Sequence, residues 1–379
     1  MKLFKFIKDP AQEMSVLTGG GQPIEGYTSA TWTERYRPAG EFILEAPLSS
    51  GLREFLPTGT LIGNAESLEV MIVENHQISE KYKEDPNLKI TGRSFETFLE
   101  NRIVGLNDLI HTGSGGDMTY NLPADYIWNQ CVKLINDQIG PGIFWDWMIL
   151  TNVLAVNKVP AGTAGDQMLR KQTRGTVYQK LLDLLGVGDL GIRTARRSNL
   201  GGNSNPNQTE YQIYAGRDMS SSVIFSWNSG DLDSSEFLFS NKMQKNICVT
   251  YGKWVFGLSD NTKPQPWRGY DLRYSYIDAA DIDERYPDAN SAWTDTNMRA
   301  AMNARGVEAL AAQTQVHITR TDISDLTTAQ YRRDYDIGDL VTIEDDLNQS
   351  AVMRVTEYVE INDENGASGH PTLEIPTGD

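Results

Sequence analysis

From Glu41 to Ala46 every second residue is apolar and the intervening positions begin and end on Glu, and an extended strand is the backbone that puts such a pattern on two faces. Phe42, Leu44 and Ala46 fall on one side, Glu41 and Glu45 on the other, as a half-buried strand requires. Strand-length runs bounded by Gly, Pro, Asn and Asp recur along the chain and hold it to a β-rich fold. Leu68-Glu-Val-Met-Ile-Val73 continues through Ile78, Glu84-Asp-Pro-Asn87 supplies turn residues, and Leu88-Lys-Ile-Thr91 returns as the second arm of a hairpin. Tyr211 to Tyr214, Ser222 to Ser226 and Asn246 to Tyr251 are rich in β-branched and aromatic residues. Gln315 to Thr319, Leu340 to Ile343, Ala351 to Ile361 and Thr372 to Ile375 close the series, with Asn362-Asp-Glu-Asn-Gly366 as a connecting turn.

Helices are fewer. Past Gly92, Phe95, Phe98, Leu99, Arg102 and Ile103 recur at helical spacing, so a helix is expected over 93–105 with Gly105 as its stop. Pro123 suits a first helical turn ahead of the stripe Ile127, Cys131, Ile135 and Ile139. Val177, Leu181, Leu184 and Leu185 repeat the pattern up to Gly186, and helix formers dominate 295–313 behind an N-cap at Thr294 or Asp295. The chain of 379 residues has room for two or three domains of about 150 residues. The reading is an α+β, β-rich multidomain protein: an N-terminal arm (1–25), a first β domain (26–116) and an α-containing insertion (117–210). A second β region (211–265), a connecting segment (266–319) and an acidic C-terminal β domain (320–379), built as a small sheet or barrel, follow.

Charge excludes one class of partner. With 51 acidic against 34 basic residues the net charge is −17, which repels polyanionic nucleic acid and acidic membranes. From Arg320 to Asp379 fourteen acids face four arginines, so −10 of that charge sits in the last segment, as a solvated face, a channel wall or a cation site. No run approaches the roughly 20 apolar residues of a membrane span. The opening Met1-Lys-Leu-Phe-Lys-Phe-Ile-Lys8 is broken by Lys5 and Lys8, so an export signal is not expected. Cys131 and Cys248 make no disulfide framework and are expected to be buried free thiols.

Catalytic signatures are missing from the sequence. His76, His111, His317 and His370 lie far apart without metal-ligand spacing, and no Gly-x-Ser-x-Gly elbow accompanies them. Gly186-Val-Gly-Asp-Leu-Gly191 has the glycine spacing of a dinucleotide loop but follows a helix where that loop needs a strand. Asp231 and Asp233, or Asp281 and Asp283, place two carboxylates together without the further ligands of a calcium loop. Glycoside hydrolysis needs two carboxyl groups at a set separation, and nothing singles out a pair. Trp145 and Trp147 suit either a sugar-stacking platform or core and interface anchors. No cofactor is expected.

Several blocks together resemble a known family. They are Phe42-Ile-Leu-Glu-Ala-Pro47, Ile90-Thr-Gly-Arg-Ser94 with Phe98-Leu-Glu-Asn-Arg102, and Tyr214-Ala-Gly-Arg-Asp218 with Val223-Ile-Phe-Ser226. Arg305-Gly-Val-Glu-Ala-Leu310, Tyr331-Arg-Arg-Asp-Tyr-Asp-Ile-Gly-Asp-Leu-Val341 and Arg354-Val-Thr-Glu357 complete them. In that order they resemble the siphovirus minor tail proteins of the tail-tip, or baseplate, hub, related in architecture to the baseplate hubs of contractile tails. The resemblance marks Gly92, Arg93, Arg102, Gly216 and Asp218, then Asp334, Tyr335, Asp336, Gly338, Asp339 and Arg354, all in structural roles. Gly338 suits a tight turn into the following strand, and Arg93 and Arg102 suit anchoring of carboxylates or neighbouring subunits.

The resemblance implies a non-enzymatic virion component with two barrel-like, tail-tube-type β domains, three copies of which make a six-domain ring at the tail tip. Its implied partners are the distal tail protein ring, the tail tube or tape-measure protein, and tip, fibre or receptor-binding proteins. DNA would pass through the channel without specific binding. The other readings are a receptor-binding protein that holds host glycans through Trp145 and Trp147, and a cell-wall hydrolase.

Overall fold

The computed structural model describes residues 1–6, 21–80, 86–104, 119–139, 153–156, 168–173, 175–196, 209–240, 244–252, 256–260, 272–279, 295–311, 316–323, 328–344 and 350–376. Its first elements are Leu3–Lys5 (β1), Gln22–Pro23 (β2), Ser29–Arg35 (β3), Glu41–Pro47 (β4), the turn of helix Leu52–Phe55 (α1), Leu61–Asn64 (β5), Val70–Ser79 (β6) and Asn87–Ser94 (β7). The middle holds Thr119–Asp125 (β8), Ile127–Ile139 (α2), Val153–Val156 (β9), Met168–Thr173 (β10), Val177–Val187 (α3), Gly191–Arg196 (β11) and Thr209–Tyr214 (β12). Ile224–Ser226 (β13), Leu232–Ser240 (β14), Ile247–Tyr251 (β15), Phe256–Asp260 (β16), Tyr274–Asp278 (β17) and Asp295–Ala311 (α4) follow. The last strands are Val316–Ile323 (β18), Leu340–Glu344 (β19), Ser350–Asp363 (β20) and Gly366–Glu374 (β21).

The alternation at Glu41 becomes β4, with Phe42, Leu44 and Ala46 buried. Opposite Phe42 on β3 stands Trp32, its ring stacked at 6.3 Å, and neither side chain reaches solvent. Burying a side chain of that size stabilises a fold by about 1.5–3 kcal/mol. Ile62, Met71, Leu88 and Ile90 extend this first core, and Leu52 and Leu56 around α1 cover it.

β3 and β4 belong to an 11-stranded sheet of order β13-β19-β20-β3-β4-β7-β6-β5-β1-β2, with β21 on β20. Its ends do not meet, so among the described residues the expected barrel is an open sheet. The C-terminal strands do not form a sheet of their own, because β20 pairs with β3 through Glu357 to Asn362 as well as with β19. The expected β6–β7 hairpin forms, with a bulge between Val73 and Asn75.

The helix expected over 93–105 is corrected. β7 runs through Ser94, because Arg93 and Ser94 pair with Ile72 and Met71, and the helical part is a 3-10 segment, Phe95–Asn101. Beyond it Ile103 bridges Thr176 and the Val104 amide donates to the Gly175 carbonyl at 3.2 Å, pulling the chain straight. Gly105 lies outside the described residues. Pro123 sits in β8 rather than in a helix, where the register against β10 shifts and a residue without an N–H does least harm. α2 starts after Asp125, whose carboxylate accepts the Tyr126 amide at 2.7 Å and the Asn129 amide at 2.8 Å.

α2 and α3 pack their Leu134, Ile135, Leu181, Leu184 and Leu185 faces onto Ile192, Tyr211 and Ile213 of β11 and β12. The Thr176 hydroxyl caps α3 by accepting the Gln179 amide at 3.2 Å. β12 pairs with β11 and, in parallel, with β9, which binds 211–214 to this helical unit. A third core joins Phe225, Ile337, Val341, Ile343 and Val355 between β13, β19 and β20.

Candidate functional site

Three stretches far apart in sequence meet around Tyr36, one residue past β3. Its ring is 1% exposed, stands edge-on to Tyr214 at 5.4 Å, and its hydroxyl donates to the Asp189 carbonyl at 2.7 Å. The backbones pressed on it leave no room for side chains: a Cβ on Gly191 would lie 2.4 Å from the ring, and one on Gly338 2.5 Å. Gly338 also has φ +92°, a conformation that favours glycine. Gly216 closes the stack, since its Cβ would lie 1.6 Å from the Gly338 carbonyl oxygen.

Ion pairs bind the same three stretches. Asp189, held at φ 49° in the left-handed region, takes Arg37 on one carboxylate oxygen and Arg354 on the other. Arg354 also donates to the Gly338 carbonyl. Arg35 spreads over Glu357 at 2.5 Å, Glu41 at 2.6 Å and the Ala39 carbonyl at 3.0 Å. Beyond Gly338, buried Asp339 accepts the Arg217 side chain at 2.5 Å and the Arg217 amide at 2.7 Å. A cleft of 390 Å³ opens over Arg35, Tyr36, Arg37, Asp189 and Arg354, and its three guanidinium groups are each engaged by carboxylates of the same chain.

A second charge network gathers around Glu34, near the end of β3. Glu34, 5% exposed, accepts Tyr331 at 2.6 Å, Arg332 at 2.7 Å and the Trp32 indole at 3.1 Å. Arg332, itself at φ 64°, donates its other arm to Glu360 at 3.2 Å. Burial pushes the Glu34 carboxyl up, but the guanidinium of Arg332 and the surrounding donors outweigh it and hold the group below the usual carboxylate range. Part of the acidity of the last segment is thus explained. Asp336, Asp339 and Glu357 pair with Arg193, Arg217 and Arg35, so these three acids fasten that segment to the rest of the chain, while Glu360 pairs with Arg332 of the same segment.

Of the residues marked from the sequence, Gly216, Gly338, Asp339 and Arg354 converge at Tyr36, and Asp336 lies 3.7 Å from Arg193 beside it. Tyr335 is a core residue, edge-on to Phe225 at 5.6 Å. Asp334 accepts the Gln330 amide at 2.8 Å, and Asp218, bridged to Leu340, accepts the Ser220 hydroxyl at 2.6 Å. Gly92, Arg93 and Arg102 lie elsewhere. Gly92 is mid-strand where a Cβ would meet the Ile72 carbonyl at 1.8 Å, Arg93 bridges Glu74 and Glu100, each at 2.9 Å, and Arg102 lies over the Phe98 ring. Trp145, Trp147, Asp281, Asp283 and His111 lie outside the described residues.

Tyr36, Asp189, Arg193 and the buried acids Glu34, Glu69 and Glu96 were not marked by sequence pattern. Asp189 stands inside Gly186-Val-Gly-Asp-Leu-Gly191, where α3 ends and β11 begins, the reverse of the strand-to-helix order that phosphate binding needs. The glycine that mattered there, Gly191, serves Tyr36. Asp231 accepts the Thr328 amide at 2.9 Å, and His76 contacts the Leu56 carbonyl at 2.8 Å. Cys131 and Cys248 are buried free thiols. Among the described residues no group of three His, Cys, Asp or Glu can hold a metal ion, and no helix is long and apolar enough to cross a membrane. The arrangement is mechanical: glycine contacts without slack and arginines shared between carboxylates lock separate segments into one body.

A fold of this kind, with both ends of the chain in one open sheet and a helical unit clamped beside it, is shared end to end with phage tail proteins. The 43 kDa tail protein of prophage MuSo2 from Shewanella oneidensis matches with a TM-score of 0.57 over 100% of both chains at 12% identity. The tail protein from Neisseria meningitidis MC58 matches equally well, at 0.57 and 12% identity, over 98% of this chain and 96% of that one. Prophage tail protein gp18 from Listeria monocytogenes EGD-e gives 0.54 over 100% of this chain and 96% of that one, at 9% identity. At such identities the likeness is one of fold alone, and the class it defines is that of the phage tail protein fold. The particular family comes from sequence: the model of the Siphovirus ReqiPepy6 Gp37-like proteins matches residues 17–373, and the chain belongs to that family. No curated protein matches it.

Proposed function

We propose that this chain is the hub of a tail tip, or baseplate, in a long non-contractile phage tail. It closes the tail tube and links the distal tail ring to tip, fibre or receptor-binding proteins, and it performs no catalysis. The observation that carries the reading is the end-to-end match: a tail-protein fold accounts for the whole of both chains, within a siphovirus family. The locking of segments around Tyr36 suits a part that transmits load between neighbours without changing shape.

In this reading the β-rich part of each chain supplies two tube-like elements, and three chains form a ring of six. The net charge of −17 supports passage of DNA through such a ring, because carboxylates on a channel wall repel phosphates. Immunogold electron microscopy of intact particles, with antibody to this chain, is expected to label the tail tip. Label along peripheral fibres would instead favour glycan binding, and particles without label would remove the virion role. Purified protein is expected at the mass of three 42.3 kDa chains, about 127 kDa, in light scattering.

A further inference from the structure

Strand β11 crosses the sheet beside buried carboxyl groups that outnumber the cations facing them. Glu34, Glu69 and Glu96 come from β3, the approach to β6 and the 3-10 segment, and are 5%, 4% and 1% exposed. Glu34 is matched by Arg332. Glu69 and Glu96 are not matched in that way: the side-chain donors that reach them are hydroxyls, Ser94 to Glu69 at 3.2 Å and Thr194 to Glu96 at 3.0 Å. Among the described residues Arg193 of β11 is the cation facing Glu69, and it is shared with Asp336 at 3.7 Å and bonded to Gln212 at 2.8 Å. Glu96 also takes the Ser94 hydroxyl and the backbone amides of Glu96 and Thr194, and it faces Tyr178 of α3 and Tyr211 of β12, both neutral near pH 7.

β11 is docked across this cluster. Ala195 bridges Glu69, the Arg196 amide donates to the Leu68 carbonyl at 2.8 Å, and the Ile192 amide donates to the Tyr36 carbonyl at 2.9 Å. The Thr194 hydroxyl adds its bond to Glu96. We propose that Glu69 and Glu96 form a proton-operated joint, in which β11 is held on the sheet while the two carboxyls are protonated and is released when both ionise. A second ionised carboxylate beside Glu34, away from water and short of a cation, repels its neighbours and draws water into the seam.

The titration follows from that geometry. Burial, then the neighbouring Glu34 and Glu96, push Glu69 well above the usual carboxylate range, and burial pushes Glu96 up to about 7. For groups raised in the native state the folded chain binds more protons than the unfolded one. Their contribution is therefore complete below the ordinary value of 4.5 and declines as pH rises, toward about 7 for Glu96, with Glu69 shifted in the same direction. Glu34 works in the opposite sense, losing its contribution as pH falls below the ordinary carboxylate range. The joint is tightest in mild acid.

Amide hydrogen exchange of the full chain at about pH 5.5 and about pH 8.5, corrected for intrinsic rates, tests this. Protection of residues 191–196, taken relative to β4, is expected to fall about tenfold or more between the two conditions. In the Glu69→Gln, Glu96→Gln double variant it is expected to hold constant. Protection of β11 in the native chain that does not change with pH, or an equal loss in the glutamine variant, would overturn the proposal. If the double variant does not fold, Glu96→Gln alone is expected to remove at least half of the pH dependence, and an unchanged dependence would count against the joint.

Discussion

Gly338→Ala is expected to cost this chain about 2–6 kcal/mol, a large share of the stability of an ordinary domain. Two penalties act together. A side chain at φ +92° costs about 1–3 kcal/mol in backbone strain, and a Cβ at 2.5 Å from the Tyr36 ring adds about 1–3 kcal/mol of overpacking. The ring cannot easily retreat, because Gly191 presses the same ring atoms, Cδ2 and Cε2, and its hydroxyl is fixed on Asp189. Gly216→Ala is expected to be as severe, since its Cβ would strike a carbonyl oxygen at 1.6 Å rather than a movable side chain. Gly230→Ala is the control: φ is +77°, but nothing lies within 4 Å, so the strain alone of about 1–2 kcal/mol remains. Urea midpoints of the three variants separate the terms. A Gly338→Ala midpoint no lower than that of Gly230→Ala would show that the contact at Tyr36 carries no weight.

How much of this was legible beforehand depended on whether the information is local. β4, the β6–β7 hairpin, α2, α3 and α4 were readable because periodicity and caps are written into neighbouring residues. Gly338 lies in a turn at φ +92°, and Arg93, for which carboxylates and neighbouring subunits were both open, bridges Glu74 and Glu100 within the chain. The pairing of β20 with β3 was not readable, because ladder partners more than 300 residues apart leave no mark on either strand. Nor were Glu69 and Glu96. Glu69 stands between Leu68 and Val70 and Glu96 between Phe95 and Thr97, where alternation alone would turn an acid outward, and the burial of each is decided by β11, a strand from another part of the chain. Arg93 shows the competition most simply: helical spacing continued through it, and cross-strand pairing with Ile72 took it instead. The charge of the last segment read as a solvated face, a channel wall or a cation site, yet three of its acids turn back to arginines of other segments and a fourth, Glu360, pairs with Arg332 of its own.

Those arginines give the second large effect. Arg332→Met keeps most of the stem but removes the cation that Glu34 and Glu360 share at 2.7 and 3.2 Å. With the Glu34 and Glu360 side chains 7% and 11% exposed, the uncompensated charge is expected to cost about 3–5 kcal/mol near pH 8. The dependence on pH then reverses. In the native chain Glu34 is held below its ordinary value of 4.5 by Arg332, so its contribution is present above that pH and is lost as pH falls. Without Arg332, burial governs and raises the same carboxyl, so the variant gains stability as pH falls and Glu34 takes up a proton. The two stability curves are expected to converge in mild acid and to stand furthest apart above neutrality. Glu34→Gln added to Arg332→Met is expected to recover part of the loss at high pH, because a neutral amide can keep the Tyr331 and Trp32 bonds at much lower desolvation cost. A single variant within about 0.5 kcal/mol of the native chain at pH 8 would mean that the network around β3 is solvated in practice and fastens nothing.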